Sequence, residues 1–134
     1  MNSELPRYLR ESAGAPFAWG DCDCCTWTCD WVARVIGVDP AARWRGACAS
    51  EADAERIIAE GGGILALARV GCAGAGLVET RDPLPGDIGV VLTPLGEAMA
   101  IKTRIGWAMK TKNGVAAARV PMLAAWRVEG RLDG

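Results

Sequence analysis

The residues with the clearest potential for chemistry lie where a loop enters a helical segment. Asp23 and Cys24 directly precede a run of residues with helical periodicity. A cysteine in the first turn of a helix is a candidate nucleophile, because the helix N-terminus stabilises a thiolate over a thiol. Such a thiol needs a base, usually an imidazole, and the chain has no histidine. Cysteine-histidine catalysis is therefore excluded.

A second chemistry to consider is metal binding by a cluster of four cysteines: Cys22, Cys24, Cys25 and Cys29. Thiolate sites typically use paired Cys-x-x-Cys spacings from two segments, whereas this spacing is Cys-x-Cys-Cys-x-x-x-Cys. Cys24 and Cys25 diverge by about 100° on a helix, so they do not readily share an ion. We predict no metal and no other cofactor. A metal-binding adaptor, completed by Cys48 or Cys72, remains an alternative.

The helix that would hold the thiol is predicted over residues 24–36. Its apolar residues fall on two adjacent stripes, which is typical of a buried helix. Asp23 suits the N-cap position, and Gly37 followed by Asp39-Pro40 is a stop signal. We expect Cys24 to be a small buried residue, packed under Trp19 and Trp31.

Three shorter helices are predicted around this one. The first covers residues 4–12 and ends at Gly14. A capping box of Ser50 and Asp53 begins the next, which the glycines at 61–63 end. The last covers residues 64–70 and is closed by Gly71. These helices occupy the first part of the chain.

The second part of the chain is predicted to form strands. Turn formers separate five β-prone segments, at residues 87–92, 98–103, 105–111, 115–120 and 122–128. Asn113-Gly114 is a strong hairpin signal. The expected fold is α+β, with N-terminal helices packed on a C-terminal antiparallel meander or half-barrel. We expect one domain over residues 1–134, comprising an N-terminal extension (1–15), a helical half (16–76) and a β half (77–130).

The charge of the chain argues against two classes of partner. A formal net charge of -1 gives no reason to expect nucleic acid or an anionic membrane. The charge is uneven, because residues 1–96 have 8 Lys and Arg against 13 Asp and Glu, whereas residues 97–134 have 7 against 3. The two parts therefore suit contacts with each other or with neighbouring subunits. No apolar run is long enough to cross a bilayer, and no signal peptide is recognised. We expect a cytoplasmically synthesised protein with reduced cysteines.

Two ordered motifs resemble a known enzyme family. Trp19-Gly20 precedes Asp23-Cys24, and Pro85-Gly86-Asp87 leads into the first predicted strand of the β half. This order resembles the NlpC-type cysteine peptidases, a compact branch of the papain-like fold. In that family a histidine opens the next strand.

The chain is more similar still to a family encoded in the tail modules of long-tailed phages and gene transfer agents. The resemblance rests on the segment PFAWGDCDCCTW at residues 16–27, on Asp39-Pro40-Ala41-Ala42, on Trp44-Arg45-Gly46 and on Trp126-Arg127-Val128. It implies a virion component of the tail tip or baseplate. Its partners would be the hub, distal tail or tail-tip proteins in a symmetric hetero-oligomeric assembly.

Transferred onto this chain, the peptidase motif is incomplete. The nucleophile position falls on Cys24 and the capping acid on Asp23, beside Trp19, while the histidine position falls on or near Ala98. The strand expected to supply an orienting residue, 107–111, has no carboxylate or amide. The resemblance therefore implies a pseudoenzyme. The alternative is a cell-wall amidopeptidase that uses Cys24 with Glu97 or Asp23 as its base.

The remaining candidate binding residues are at positions expected to lie on the surface. Trp44, flanked by Arg43 and Arg45, is a candidate interface anchor. We expect the other tryptophans to pack in the core. A basic run, formed by Lys102, Arg104, Lys110 and Lys112, predicts a solvated face of the sheet.

Overall fold

The computed structural model describes residues 4–18 and 23–129 of the chain. Four α-helices come first: α1 (Glu4–Ala13), α2 (Cys24–Ile36), α3 (Glu51–Glu60) and α4 (Ile64–Gly74). A short 3₁₀ helix, Ala42–Trp44, lies between α2 and α3. The predicted bounds of α2 are confirmed. Asp23 caps it, and Gly37 ends it with a left-handed φ of 78°.

Six strands follow and form one antiparallel sheet. They are β1 (Val78–Thr80), β2 (Ile88–Thr93), β3 (Gly96–Thr103), β4 (Gly106–Thr111), β5 (Gly114–Ala118) and β6 (Met122–Arg127). Their order across the sheet is β1-β6-β2-β3-β4-β5. The predicted α+β class is confirmed, with the helices preceding an antiparallel sheet.

The predicted meander is only partly right. Strands β2 to β5 follow one another as a meander, but β6 returns to pair with β2 on the opposite side from β3. This position places the buried β6 residues Ala125 and Trp126 between two neighbouring strands, β1 and β2. The outer neighbour, β1, was not predicted, because it has only three residues and Val78 is exposed.

Helix α4 is longer than predicted, because Gly71 does not end it. The helix continues to Gly74. A side chain at position 71 would collide with the carbonyl oxygen of Pro40 and press on the ring of Trp44. Glycine is therefore needed at position 71 because the helix packs closely against the 3₁₀ region, and it does not end the helix.

The main core lies between the helices and one face of the sheet. Its members include Trp27 and Trp31 of α2, Ile88 and Ile101 of the sheet, and Trp126 of β6. Both halves of the chain contribute to this core.

A smaller cluster covers the other face of the sheet: Val91, Ala100, Trp107, Met109 and Ala125. The ring of Trp107 lies against Gly89, where a Cβ atom would approach it to 2.8 Å. The absence of a side chain at Gly89 lets the tryptophan lie across the strand. As a result, both faces of the central strands are buried.

The Pro85-Gly86-Asp87 segment joins the two halves of the molecule. Trp31 Nε1 donates a hydrogen bond of 2.7 Å to the Gly86 carbonyl oxygen. The buried Asp87 carboxylate accepts hydrogen bonds from the backbone amides of Leu84 (2.8 Å) and Val128 (2.9 Å). Arg127 Nε lies 3.0 Å from it as an ion pair. The segment thus has a structural role independent of any catalysis.

No described helix by itself has the length and hydropathy of a membrane span. Helices α3 and α4 meet these criteria only when taken together, across a bend of 76°.

Candidate functional site

Cys24 is the first residue of α2, and Asp23 is the cap of that helix. The Asp23 carboxylate accepts hydrogen bonds from the amides of Cys25 (3.0 Å) and Thr26 (2.8 Å). The Thr26 hydroxyl accepts one in return from the Asp23 amide, at 2.8 Å. This reciprocal pair is a capping box. The Asp23 carboxylate is therefore engaged in capping the N-terminus of α2.

The Cys24 thiol lies in surroundings that favour its ionisation. Cys25 Sγ is 3.9 Å from Cys24 Sγ. A hydrogen bond from that thiol lowers the pKa of Cys24, burial opposes the shift, and the Met99 backbone amide lowers the pKa further. The same contact raises the pKa of Cys25 well above its usual range, together with burial. Cys24 is thus the thiol of this pair that ionises first.

The strand opposite the thiol is β3, and Met99 is its residue next to Cys24. Met99 is buried in the core shared with α2. Side chains alternate along a strand, and Ala98 belongs to the cluster on the other face of the sheet. The position marked as an empty histidine site, Ala98, therefore directs its side chain away from Cys24. A thioether occupies the neighbouring position that faces the helices.

Glu97, the proposed alternative base, serves as a cap for α4. Its Oε1 accepts a hydrogen bond of 3.1 Å from the Leu65 amide. The cap position of α4, Gly63, has no side chain to fill this role. The Glu97 carboxylate of β3 thus accepts a hydrogen bond from a free amide in the first turn of α4, in place of a capping side chain from the helix itself.

The strand next to β3 contains a buried lysine. Lys110 is only 2% exposed, and its Nζ donates hydrogen bonds to the carbonyl oxygens of Ser12 and Ala15. The expectation of a solvated basic face is therefore wrong at Lys110. The ammonium group closes the C-terminal end of α1 and links Ser12 and Ala15 to β4.

The cysteine cluster does not form a metal centre within the described part of the chain. No group of three or more cysteine or carboxylate side chains in residues 4–18 and 23–129 is placed to hold an ion. Cys24, Cys25, Cys29, Cys48 and Cys72 have free thiols. Two residues of the predicted site, Trp19 and Cys22, lie outside the described residues.

The proposed interface anchors divide into two kinds. Arg45 is engaged within the molecule, where it pairs with Asp39 and with Asp30, the latter at 2.6 Å. Trp44 is half-buried against the core, and the Arg43 guanidinium lies over its ring at 5.3 Å. Contact with a partner stays a prediction for Arg43 and for the exposed part of Trp44.

Sequence reasoning missed Met99 as the neighbour of the thiol, although a signal was present. Ile101 is an apolar residue of the predicted strand, and alternation places Met99 on the same face. The role of Lys110 had no local signal, because its partners lie 95 and 98 residues earlier.

Comparison with known proteins gives one family. Residues 1–128 match the domain of unknown function DUF6950. No curated protein and no solved structure shows significant similarity to the chain. Because the family match covers nearly the whole sequence, this protein belongs to the DUF6950 family.

Proposed function

We propose that this protein is a non-catalytic structural component of a long-tailed phage tail tip or baseplate, built on a papain-like, NlpC-type scaffold. The observation that supports it most is that the strand residue in contact with the Cys24 thiol through its backbone amide is Met99, whose side chain is a buried thioether and not a base. In this role the fold provides surfaces that contact other tail proteins.

The chemistry of the thiol supports this proposal. Thiol-dependent peptide hydrolysis needs one group to remove the thiol proton and return it to the leaving amine. A methionine thioether cannot hold that proton at neutral pH. The two nearby carboxylates cap helices, Asp23 at α2 and Glu97 at α4. Neither is free to work as the base without releasing a helix end.

The arrangement of elements supports the papain-like part of the proposal. A cysteine begins the central helix, that helix packs on an antiparallel sheet, and the Pro85-Gly86-Asp87 segment enters the first long strand. The segment also links the two halves through Trp31 and Asp87. A structural role of this kind explains why the motif persists without a catalytic centre.

We further propose that the partners are other tail proteins of the hub, distal tail or tail tip, in a symmetric hetero-oligomeric assembly within the virion. The opposite charge balances of residues 1–96 and 97–134 suit contacts between neighbouring subunits. Leu95, at the β2–β3 turn, is fully exposed and supplies an apolar contact point.

The test is genetic replacement in the phage or gene transfer agent that encodes the chain. Mass spectrometry of purified tails is expected to detect the chain, and the Cys24→Ala variant should give normal infectivity or transfer. Asp87→Ala, which disrupts the junction between the halves, should deplete the chain from particles. Absence of the wild-type chain from tails would overturn the proposal. A Cys24→Ala variant that is incorporated but inactive would indicate catalysis.

A second candidate is a cell-wall amidopeptidase that depends on Cys24. The observation in its favour is the lowered pKa of that thiol, which the Cys25 thiol and the Met99 amide produce. Cys24-dependent release of peptide fragments from peptidoglycan would establish this activity.

A further inference from the structure

An apolar cavity lies beside the first turns of α2, where Cys25 and Cys29 line it. Its volume is about 100 Å³. Residues of helices α2, α3 and α4, of the 3₁₀ helix and of β3 line it, and it is partly open to solvent. The side chains that define its wall include Cys29, Trp44, Ala54, Ile57, Ile58 and Cys72.

The polar side chains at the cavity are already engaged. Asp23 and Thr26 are the lining residues with strongly polar side chains, and each bonds to the other within the capping box. A buried water needs two to four polar partners. The wall therefore offers water too few partners and favours an apolar occupant.

Helix α3 forms one wall of the cavity and has no fully buried residue. Its cavity-facing side chains, Ala54, Ile57 and Ile58, are only half-buried. Glycines with positive φ stand near both of its ends, at Gly46 and Gly62. Few buried contacts mean that this helix can move aside at low free-energy cost.

We infer that this cavity is a binding site for a small uncharged hydrocarbon, which a shift of the α3 wall accommodates. An apolar cavity of about 150 Å³ holds benzene, and the half-buried isoleucines of α3 can shift to admit a molecule of that size. The sulfur atoms of Cys29 and Cys72 give a polarisable wall suited to an aromatic ring. This site is independent of the proposed function in the tail.

Benzene is the probe, and the full chain is the sample. Benzene should raise the thermal unfolding midpoint in proportion to the logarithm of its concentration, whereas charged benzoate at the same concentration should not. In isoleucine-methyl NMR spectra, benzene should shift the signals of Ile57, Ile58 and Ile64. The signal of Ile105, exposed on the β3–β4 turn, should stay in place.

A matched pair of α3 variants tests the location. Ala54→Leu fills the cavity and should weaken benzene binding by roughly tenfold or more. Ala52→Leu makes the same change on the exposed side of α3 and should bind like the wild type. Equal losses in the two variants would overturn the assignment. So would the absence of methyl shifts at Ile57 and Ile58 in the wild type, a readout that needs no variant to fold.

Discussion

The Cys24 thiol shows how single contacts change the acidity of a side chain. Its pKa is lowered by the Cys25 thiol and by the Met99 amide, and burial works against both. The first turn of a helix adds a favourable field for the thiolate. Activation of the sulfur and provision of a base are thus separate features: contacts that favour the thiolate are present, whereas the described carboxylates Asp23 and Glu97 cap helices.

Replacement of Cys25 by alanine should raise the pKa of Cys24, because it removes the thiol that donates to the Cys24 sulfur. The rate of Cys24 alkylation by iodoacetamide should then rise with pH along a curve displaced to higher pH. Peptide mass spectrometry after timed alkylation measures this curve. Cys48→Ala, on a different element, is the control and should leave it unchanged. An identical curve in Cys25→Ala would show that the neighbouring thiol does not stabilise the thiolate.

At the scale of helices and strands, the main finding is that partners distant in sequence complete the helix ends. Glu97 of β3 closes the N-terminus of α4, and Lys110 of β4 closes the C-terminus of α1. Both are charged residues whose sequence neighbourhood indicates an ordinary strand. These contacts lock the helical layer onto the sheet and hold the segments that flank the Cys24 site.

Lys110→Met should destabilise the fold by about 1–3 kcal/mol, because partly buried carbonyl groups lose a charged donor. The affected groups are the carbonyls of Ser12 and Ala15. Urea denaturation measures the loss. Lys112→Met, two residues later and paired with Glu51 on the surface, is the matched control and should change stability little. Equal effects of the two substitutions would contradict the buried role of Lys110.

Two glycines in α4 should respond in opposite directions to the same substitution. Gly71→Ala forces a methyl group against Pro40 and should cost about 1–3 kcal/mol. Gly74→Ala meets no atom within 4 Å and should gain about 0.5–1 kcal/mol from better helix propensity. Thermal unfolding of the two variants gives both signs. Stabilisation by Gly71→Ala would show that the close approach to Pro40 is absent.

At the scale of the whole molecule, local sequence signals predicted where most helices and strands lie. They did not predict which strands pair or which distant side chains contact each other. The ends of α2 follow from Asp23 and Gly37, whose effects act within one helical turn. The pairing of β6 with β2 depends on which strands bury Trp126. No local sequence pattern specifies those strands. For the site, the position of Cys24 was predictable from the helix start. The engagement of Glu97 was not, because Leu65 lies 32 residues away.

The molecule as a whole is a layer of helices packed on an antiparallel sheet, and several groups around Cys24 make structural contacts. Asp23 and Glu97 cap helices, Met99 fills the core, and the junction at Asp87 joins the halves. Because a fold alone does not determine function, the non-catalytic role stays a proposal that the following experiment tests.

The most direct test of this account is incubation of the purified wild-type chain and its Cys24→Ala variant with peptidoglycan peptides, followed by mass spectrometry of the products. The account predicts no cleavage above background by either protein at neutral pH. Cleavage by the wild type that disappears in a folded Cys24→Ala variant would contradict it.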